Sequence, residues 1–383
     1  MAISIKKDAK EPVQSIATPL KDVKPTGTNP GELAKVMATI KKELGDKSIV
    51  YGSQIPNPDR LPTGVFEFDL ATGGGFPKNR YSIVYGPESS GKTNLIYKAI
   101  ANAQRLAPPC NKAVLVDLEG TFDPNWAIQF GVDVDALIVA KPSYGEQAVD
   151  MIDALVRAND VAFLAVDSIA VLIAAKEVEG SVEKADVGTS ALLIKRLSNK
   201  LAIALSEEQK RDHHIAVVLL NQTRFKIGVM FGDPETMPGG QTVKFNASLI
   251  VRLYGKNKMV KEISSSVPAF KETNATIKKA KIGIVQAAFS YEMCMLEHDG
   301  LMPGETDSFS AVKGYLQSSG HLKKGDKGGW DLLGKNYQKL EVIQDTYRAE
   351  PEFSEMLHKI VVKNHQLSLV EAQALSESNG SAQ

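Results

Sequence analysis

Gly86-Pro87-Glu88-Ser89-Ser90-Gly91-Lys92-Thr93 fits the template G-x-x-x-x-G-K-[S/T]. The apolar run Tyr81–Tyr85 before it reads as a strand, and Leu95, Ile96, Ala99 and Ile100 after it recur at helical spacing. A glycine-rich turn between strand and helix aims backbone N–H groups and a helix N-terminus at an anion. In such a loop Lys92 reaches the β- and γ-phosphates, and the Thr93 hydroxyl holds Mg²⁺. A glycine turn matching by chance is the plain alternative, and the flanking strand and helix weigh against it. The stretch predicts a nucleoside triphosphate site.

Working outward, 383 residues allow more than one domain at about 150 residues each. Apolar residues at 43% and charged residues at 23% are ordinary for a globular protein. Lys+Arg and Asp+Glu both number 45, so a polyanionic partner must be sought in local patches. Cys110 and Cys294 show no metal-ligand spacing; reduced thiols in a cytoplasmic protein are the expectation, with a disulfide left open. No apolar run approaches the roughly eighteen residues of a membrane span, so no membrane association is expected. Met1–Thr28 mixes charges with prolines, has no apolar signal core and reads as a flexible tail.

Order is expected from Asn29. Asn29-Pro30-Gly31-Glu32 offers an N-cap, a proline at the first helical position and a carboxylate at the third. Leu33, Val36, Met37, Ile40 and Leu44 make one apolar stripe, and Gly45 can close the helix. The stripe has two open partners, the chain's own core or a neighbouring protomer.

From Pro62 to Leu301 short apolar runs alternate with helical stretches. The runs are Tyr81–Tyr85, Ala113–Val116, Leu137–Ala140, Val161–Val166 and Ile215–Leu220. Between them lie Thr93–Leu106, Pro124–Phe130, Gly145–Ala158 and Thr189–Glu208. This pattern predicts an α/β fold with a parallel central sheet and helices on both faces. Ligands of such sheets bind beyond the C-terminal strand ends.

Val161–Val166 delivers Asp167-Ser168, as a Walker B strand delivers its acid to the Mg²⁺ shell. Ala113–Val116 delivers Asp117-Leu118-Glu119, and Glu119 suits the orientation of a water for in-line attack. Either carboxylate alone could be a cap or a solvated group; with the phosphate loop they predict hydrolysis by positioning and electrostatics. Ile215–Leu220 delivers Asn221-Gln222, whose amide can bond a γ-phosphate oxygen and report its loss. Thr223–Thr242 then runs about twenty residues without a regular pattern, which marks a functional loop. Lys226 beside Phe225, Met230 and Phe231 suits single-stranded nucleic acid. A lid over the nucleotide suits the same residues equally.

These stretches resemble the RecA recombinases, and specifically their bacterial-type branch. Gly86–Thr93 is similar to that family's phosphate loop residue for residue, and Lys141-Pro142-Ser143-Tyr144-Gly145-Glu146-Gln147-Ala148 to another of its segments. The most specific likeness is Asn221-Gln222-Thr223-Arg224-Phe225-Lys226-Ile227-Gly228-Val229-Met230-Phe231-Gly232, with Pro234-Glu235-Thr236, Gly239-Gly240 and Lys244-Phe245 beyond. The likeness covers Asn29 to about Leu367.

What the resemblance implies is carried position by position. Glu119 resembles the general base, and Gln222 the γ-phosphate sensor coupled to a DNA-binding loop. Asp123 and Trp126 match positions that contact the adenine of ATP; the family usually has Tyr where Trp126 stands, and stacking survives the change. Lys244 and Phe245 match a protomer interface, and Lys279 and Lys281 resemble lysines that reach a neighbour's ATP. By alternation alone those two lysines are a solvated strand face. The other DNA loop is Glu177–Gly188, where Leu192 and Asn199 beyond it depart from the arginines common in bacterial relatives. Lys195, Arg196 and Lys200 on the same helix can substitute; Leu193, Leu197 and Leu201 read as core. Phe309–Gln317 and Pro351–Val362 read as helices around a polar middle. Gly328-Gly329-Trp330 with Lys335 and Lys339 resembles the family's small α+β C-terminal domain. Its Lys323, Lys324, Lys327 and Lys335 suit duplex phosphates or form a solvated face.

The implied layout is a tail over 1–28, an oligomerisation helix and linker over 29–61 and a RecA-like phosphate-loop NTPase core over 62–300. A C-terminal duplex-binding domain over 301–367 and a disordered tail over 368–383 follow. The implied function is a DNA-dependent ATPase, with ATP and Mg²⁺ as cofactors. It would form a helical homopolymer on single-stranded DNA and exchange strands with double-stranded DNA in recombinational repair. A hexameric helicase on the same core and an ATP-gated regulatory scaffold remain as alternatives.

Overall fold

The computed structural model describes residues 31–55, 58–173, 175, 187–225, 235–260, 267–283, 285–298, 300–325 and 328–380. The chain divides into two units, 1–57 and 58–383. In the first, helix α1 spans Glu32–Leu44, and none of its residues is buried. Gly31 holds the N-cap position at φ 104°, a conformation that favours glycine. Asn29 and Pro30, expected to open the helix, lie outside the described residues. Gly45 closes it as expected, its N–H donating to the Lys41 carbonyl at 2.8 Å.

The second unit opens with β1 (Arg60–Leu61), α2 (Phe66–Thr72) and β2 (Phe76–Pro77). Next come β3 (Arg80–Gly86), α3 (Lys92–Gln104), β4 (Lys112–Asp117), α4 (Pro124–Gln129) and β5 (Ile138–Ala140). Then follow α5 (Gly145–Val156), β6 (Val161–Asp167), α6 (Val187–Lys210) and β7 (Ala216–Gln222). β8 (Arg224–Phe225) and β9 (Glu235–Thr236) precede α7 (Gly240–Asn246), β10 (Leu249–Lys258), β11 (Phe270–Ala280) and β12 (Ala288–Cys294).

Among the described residues the main sheet has the order β12-β11-β10-β3-β7-β6-β4-β5. β10 through β5 in that order are parallel, while β11 and β12 extend the sheet antiparallel. β3, β4, β5, β6 and β7 match the apolar runs, and the central ones are covered on both faces: every residue of β6 is buried. β10, also parallel, falls outside those runs. Side chains alternate between two cores. Leu95, Ile96 and Ile100 of α3 meet Leu115, Phe163 and Val218 on one face. Ile152 of α5 and Leu197 and Leu201 of α6 meet Ile83, Val116, Leu164 and Leu219 on the other. The antiparallel edge escapes the apolar-run reading because β11 is wet along part of its length and carries charges among its apolar residues.

Register decides where the site lies. Gly86 pairs with Gln222, Asp117 with Asp167, and Val166 with Leu219. The β3 and β7 ends therefore run two residues past those of β4 and β6, and all four gather at the C-terminal edge of the sheet.

Beyond the sheet, α8 (Phe309–Ser318), β13 (Leu322–Lys324), β14 (Trp330–Leu332), β15 (Lys335–Tyr337), α9 (Leu340–Ala349) and α10 (Pro351–Gly380) follow. The expected polar middle thus holds a three-stranded antiparallel sheet and α9. Phe309, Val312, Leu332, Leu357 and Val361 close a small core on Leu70 of α2. α10 runs far past Val362, through the stretch expected to be a disordered tail. No Gly or Pro interrupts it after Pro351, and Ala, Leu, Glu and Gln favour helix. Residues 381–383 lie outside the described ones. Cys110 and Cys294 are free thiols, which closes the disulfide alternative. Among the described residues no helix is long and apolar enough to cross a membrane.

β10 passes directly beneath the phosphate loop. A β-carbon at Gly255 would stand 2.9 Å from the Ser90 carbonyl oxygen. Gly255→Ala is expected to destabilise the protein by about 1–3 kcal/mol in urea unfolding. An unchanged midpoint would mean that the loop does not rest on this strand.

Candidate active site

The phosphate loop leaves β3 at Gly86 and enters α3 at Lys92, turning on Ser89 at φ 57° and Gly91 at φ 91°. A β-carbon at Gly86 would lie 2.2 Å from the Leu253 carbonyl, so only glycine fits there. The Lys92 ammonium donates to the Gly86 and Pro87 carbonyls at 3.1 and 2.8 Å. Burial lowers its pKa, opposed by the charges of Asp167, Glu119 and Glu88.

The Thr93 hydroxyl donates to Asp167 Oδ2 at 3.2 Å. Burial, and then the Glu119 charge, push the Asp167 carboxyl up to about 6, while Thr93 and Lys92 pull the other way. No group of three or more His, Cys, Asp or Glu suited to a metal occurs among the described residues. One carboxylate and one hydroxyl beside a phosphate loop fit Mg²⁺, which takes few protein oxygens and completes its shell with phosphate and water.

Glu119 stands on the loop after β4. Its Oε1 accepts from the Ser168 hydroxyl and, at 3.1 Å, from the Gln222 side-chain amide. Asp117 is structural: its carboxylate accepts from the N–H groups of Gly120, Thr121 and Phe122 at 2.8–3.2 Å and shapes that loop. Ser168 is the partner that sequence reading leaves without a role, since no spacing announces a contact with Glu119.

Asp123 caps α4, its Oδ1 accepting from the N–H groups of Asn125 and Trp126 at 2.9 and 3.1 Å. Trp126 is half-buried; its indole N–H donates to Asn94 Oδ1 at 3.2 Å and its ring meets Phe130 at 5.0 Å. Both residues therefore carry local structural contacts beside any nucleobase they touch.

The long loop after β7 is closed at its base. Arg224 pairs with Thr236 and Phe225 with Glu235. The Thr223 N–H donates to the Gly86 carbonyl at 3.2 Å, and buried Asn221 donates to the Pro238 carbonyl at 3.0 Å. Arg252 grips Glu235 with Nε at 2.8 Å. Gly239 at φ 102° begins α7, and its missing β-carbon makes room for Ile194; Gly240 follows at φ 68°. Lys226, Ile227, Gly228, Val229, Met230 and Phe231 lie outside the described residues, as does most of Glu177–Gly188.

Lys279 donates to the carbonyls of Lys244 and Phe245, and Lys281 to that of Phe245 at 2.8 Å. The two lysines thus share one side, facing the last turn of α7, where the Phe245 ring is 65% exposed. On α6, Lys195 and Arg196 are exposed, whereas Lys200 pairs with Asp150 at 2.7 Å. Leu193, Leu197 and Leu201 are buried, as expected. Lys323, Lys324 and Lys335 are exposed on β13 and β15; Lys327 lies outside the described residues.

A sheet whose parallel strand ends gather a phosphate loop, a carboxylate–hydroxyl pair and a second acid defines a phosphate-loop NTPase fold. The model of the RecA N-terminal domain matches residues 31–295, and the chain belongs to the RecA family. It is 42% identical to Protein RecA of Roseiflexus sp. (strain RS-1) over 221 residues, 57% of this chain and 60% of that protein. It is 37% identical to Protein RecA of Nocardioides sp. (strain ATCC BAA-499 / JS614) over 265 residues, covering 65% of this chain and 73% of the relative. Protein RecA of Chloroflexus aurantiacus (strain ATCC 29364 / DSM 637 / Y-400-fl) is 31% identical over 336 residues, 86% of this chain and 90% of the relative.

Asp167 gives a test of the site's electrostatics. Its folded pKa of about 6 exceeds the usual 3.8, so folding favours the protonated form. That stability is fully present below 3.8 and is lost as pH rises through about 6. Asp167→Asn is expected to stabilise the protein, free of nucleotide and Mg²⁺, by about 2 kcal/mol at pH 7.5 and by little at pH 4. Urea unfolding at both pH values checks it; equal effects at both would remove burial of the charge as the cause.

Proposed function

We propose that this chain is a DNA-dependent ATPase that assembles as a helical homopolymer on single-stranded DNA. It pairs that strand with homologous double-stranded DNA and exchanges strands, in the cytoplasm, during recombinational repair. One observation carries the reading: the Gln222 amide bonds Glu119, and the next residue, Thr223, opens the loop that bears Arg224 to Phe231. The acid that would prime water and the segment that would hold DNA are thereby adjacent.

The loop N–H groups and Lys92 bind the phosphates of ATP. Thr93 and Asp167 are the residues that would hold Mg²⁺, which supplies charge neutralisation between phosphate oxygens when bound. Ser168 and Gln222 both donate to Glu119 Oε1, leaving Oε2 to accept a proton from the attacking water. Gln222 has a second amide hydrogen for a γ-phosphate oxygen. Loss of that phosphate changes what Gln222 holds and so biases the loop behind it, a shift driven by differential binding of ATP and ADP.

Arg224, Phe225 and residues 226–231, with Gly239 and Gly240 at the far end, would set cations on phosphate and apolar groups against bases. Lys195 and Arg196 add phosphate contacts, and Lys200 adds one on leaving Asp150. Sequence is read by base pairing between the DNAs, so few base-specific contacts are needed. Between protomers, Lys279 and Lys281 reach the neighbour's ATP and exposed Phe245 packs at the joint. The α1 stripe, with Leu33 68% and Leu44 61% exposed, covers apolar surface of an adjacent copy. Lys323, Lys324 and Lys335 receive duplex phosphates.

Glu119→Gln is expected to keep ATP-dependent assembly on single-stranded DNA while hydrolysis falls at least about 10²-fold. Lys92→Ala should lose both. Sedimentation with labelled oligonucleotide, phosphate release and a strand-exchange assay with and without homologous duplex measure the three properties. Hexamers that unwind a fork without pairing homologues would replace this reading with a helicase.

A further inference from the structure

Lys271 opens β11 with a side chain sunk beside the phosphate loop, the residue being only 7% exposed. Its ammonium donates to the Ser89 carbonyl at 2.7 Å and to Asn257 Oδ1 at 2.7 Å. Both partners are neutral, and among the described residues no carboxylate pairs with it. With Ser89–Asn94 and Met295 it lines a cavity of about 220 Å³. Burying a cation against neutral oxygens is costly, and burial lowers its pKa. A side chain needed only to fill that space would be apolar.

The geometry points to Lys271 as a positioning residue for the phosphate loop, holding the Ser89–Ser90 peptide so that its N–H faces a bound polyphosphate. A peptide unit is planar and trans, so fixing the Ser89 carbonyl fixes the Ser90 N–H in the opposite direction. Ser89 sits at φ 57°, where a non-glycine residue stays only if its surroundings hold it. An ammonium has three donors, and two are engaged on the loop and on Asn257. Its charge then adds to that of Lys92 at the same loop, from the same subunit. Asn257 is the support: its side-chain oxygen keeps the ammonium at the loop. Periodicity hides this residue, because a lysine in a strand that mixes charged and apolar residues reads as solvated.

The inference rests on the nucleotide site proposed above. The test uses Lys271→Met, Lys271→Arg and Asn257→Ala in the full chain, with equilibrium binding of MgATP and of adenosine in the absence of DNA. Lys271→Met is expected to weaken MgATP about tenfold and to leave adenosine unchanged. In steady state with DNA, KM rises and kcat stays within about twofold, as for an interaction kept equally in ground and transition states. Lys271→Arg restores most of the affinity, and Asn257→Ala weakens MgATP by a smaller factor. Wild-type affinity in Lys271→Met, equal loss of ATP and adenosine, or loss of kcat with affinity kept would each overturn the assignment. A wild-type chain that ignores ATP would instead bring down the nucleotide site itself, and this inference with it.

Discussion

The main-chain carbonyl of Asp167 accepts from the N–H groups of Leu118 and Glu119 at 2.7 and 3.2 Å. With its carboxylate accepting from Thr93, this one residue ties the ends of β6 and β4 to the first turn of α3. Parallel pairing alone brings the strands level; it does not decide where the chain goes after them. The Asp167 carbonyl does, by turning the chain after β4 back across the end of β6. Glu119 is thereby carried to Ser168 and Gln222. Without that turn the second acid would trail into solvent, and the phosphate loop would stand alone.

From that fixed corner a chain of short contacts leads to the loop proposed to hold DNA. Glu119 touches Gln222, Thr223 touches the Gly86 carbonyl, and Thr223 and Arg252 both hold Glu235 on the returning strand. Each bond is individually modest, on the order of 1 kcal/mol. Their value lies in direction: the loop base is anchored to the first residue of the phosphate loop. If Gln222 senses the γ-phosphate as proposed, a small shift of its side chain acts two residues from Arg224. The short β8–β9 pair closes the base of that loop.

How far the sequence was legible follows from what each residue's surroundings demand. Val161–Val166 and Ile215–Leu220 could be read because strands covered on both faces must be apolar throughout. Gly86, Gly91 and Lys92 could be read because close approach and phosphate binding tolerate few substitutes. β11 and β12 could not, since strands that mix charged with apolar residues at the partly exposed end of a sheet mimic loops. Asp123 illustrates the opposite error of emphasis: a motif position assigned to a ligand also caps its own helix. The disordered tail expected from polar composition ignored that an uninterrupted run of helix formers can extend α10 to Gly380. Lys271 and Ser168 stayed silent because their partners are distant in sequence and neither stands in a pattern.

The charges around the phosphate loop are held in tension. Burial lowers the pKa of Lys92 and Lys271 and raises that of Asp167, so every one of these groups is disfavoured in its charged form. Such a set is poor as a stabilising network but apt for a site that completes its charge balance with a triphosphate and a divalent cation. A triphosphate and its cation would offset those desolvation costs by opposite charge, so affinity is expected to depend mainly on the phosphates. β11 extends the consequence. It carries Lys271 at its own phosphate loop and Lys279 roughly 27 Å away at the face with Phe245, eight residues along one extended strand. β10 pairs along the length of β11 with a register shift beside Lys279, and β12 pairs with it only as far as Thr276. The two lysines thus share one strand that is braced on both sides at its Lys271 end. In a polymer jointed at Phe245, as proposed, β11 is the element that would link one subunit's phosphate loop to its joint with the next.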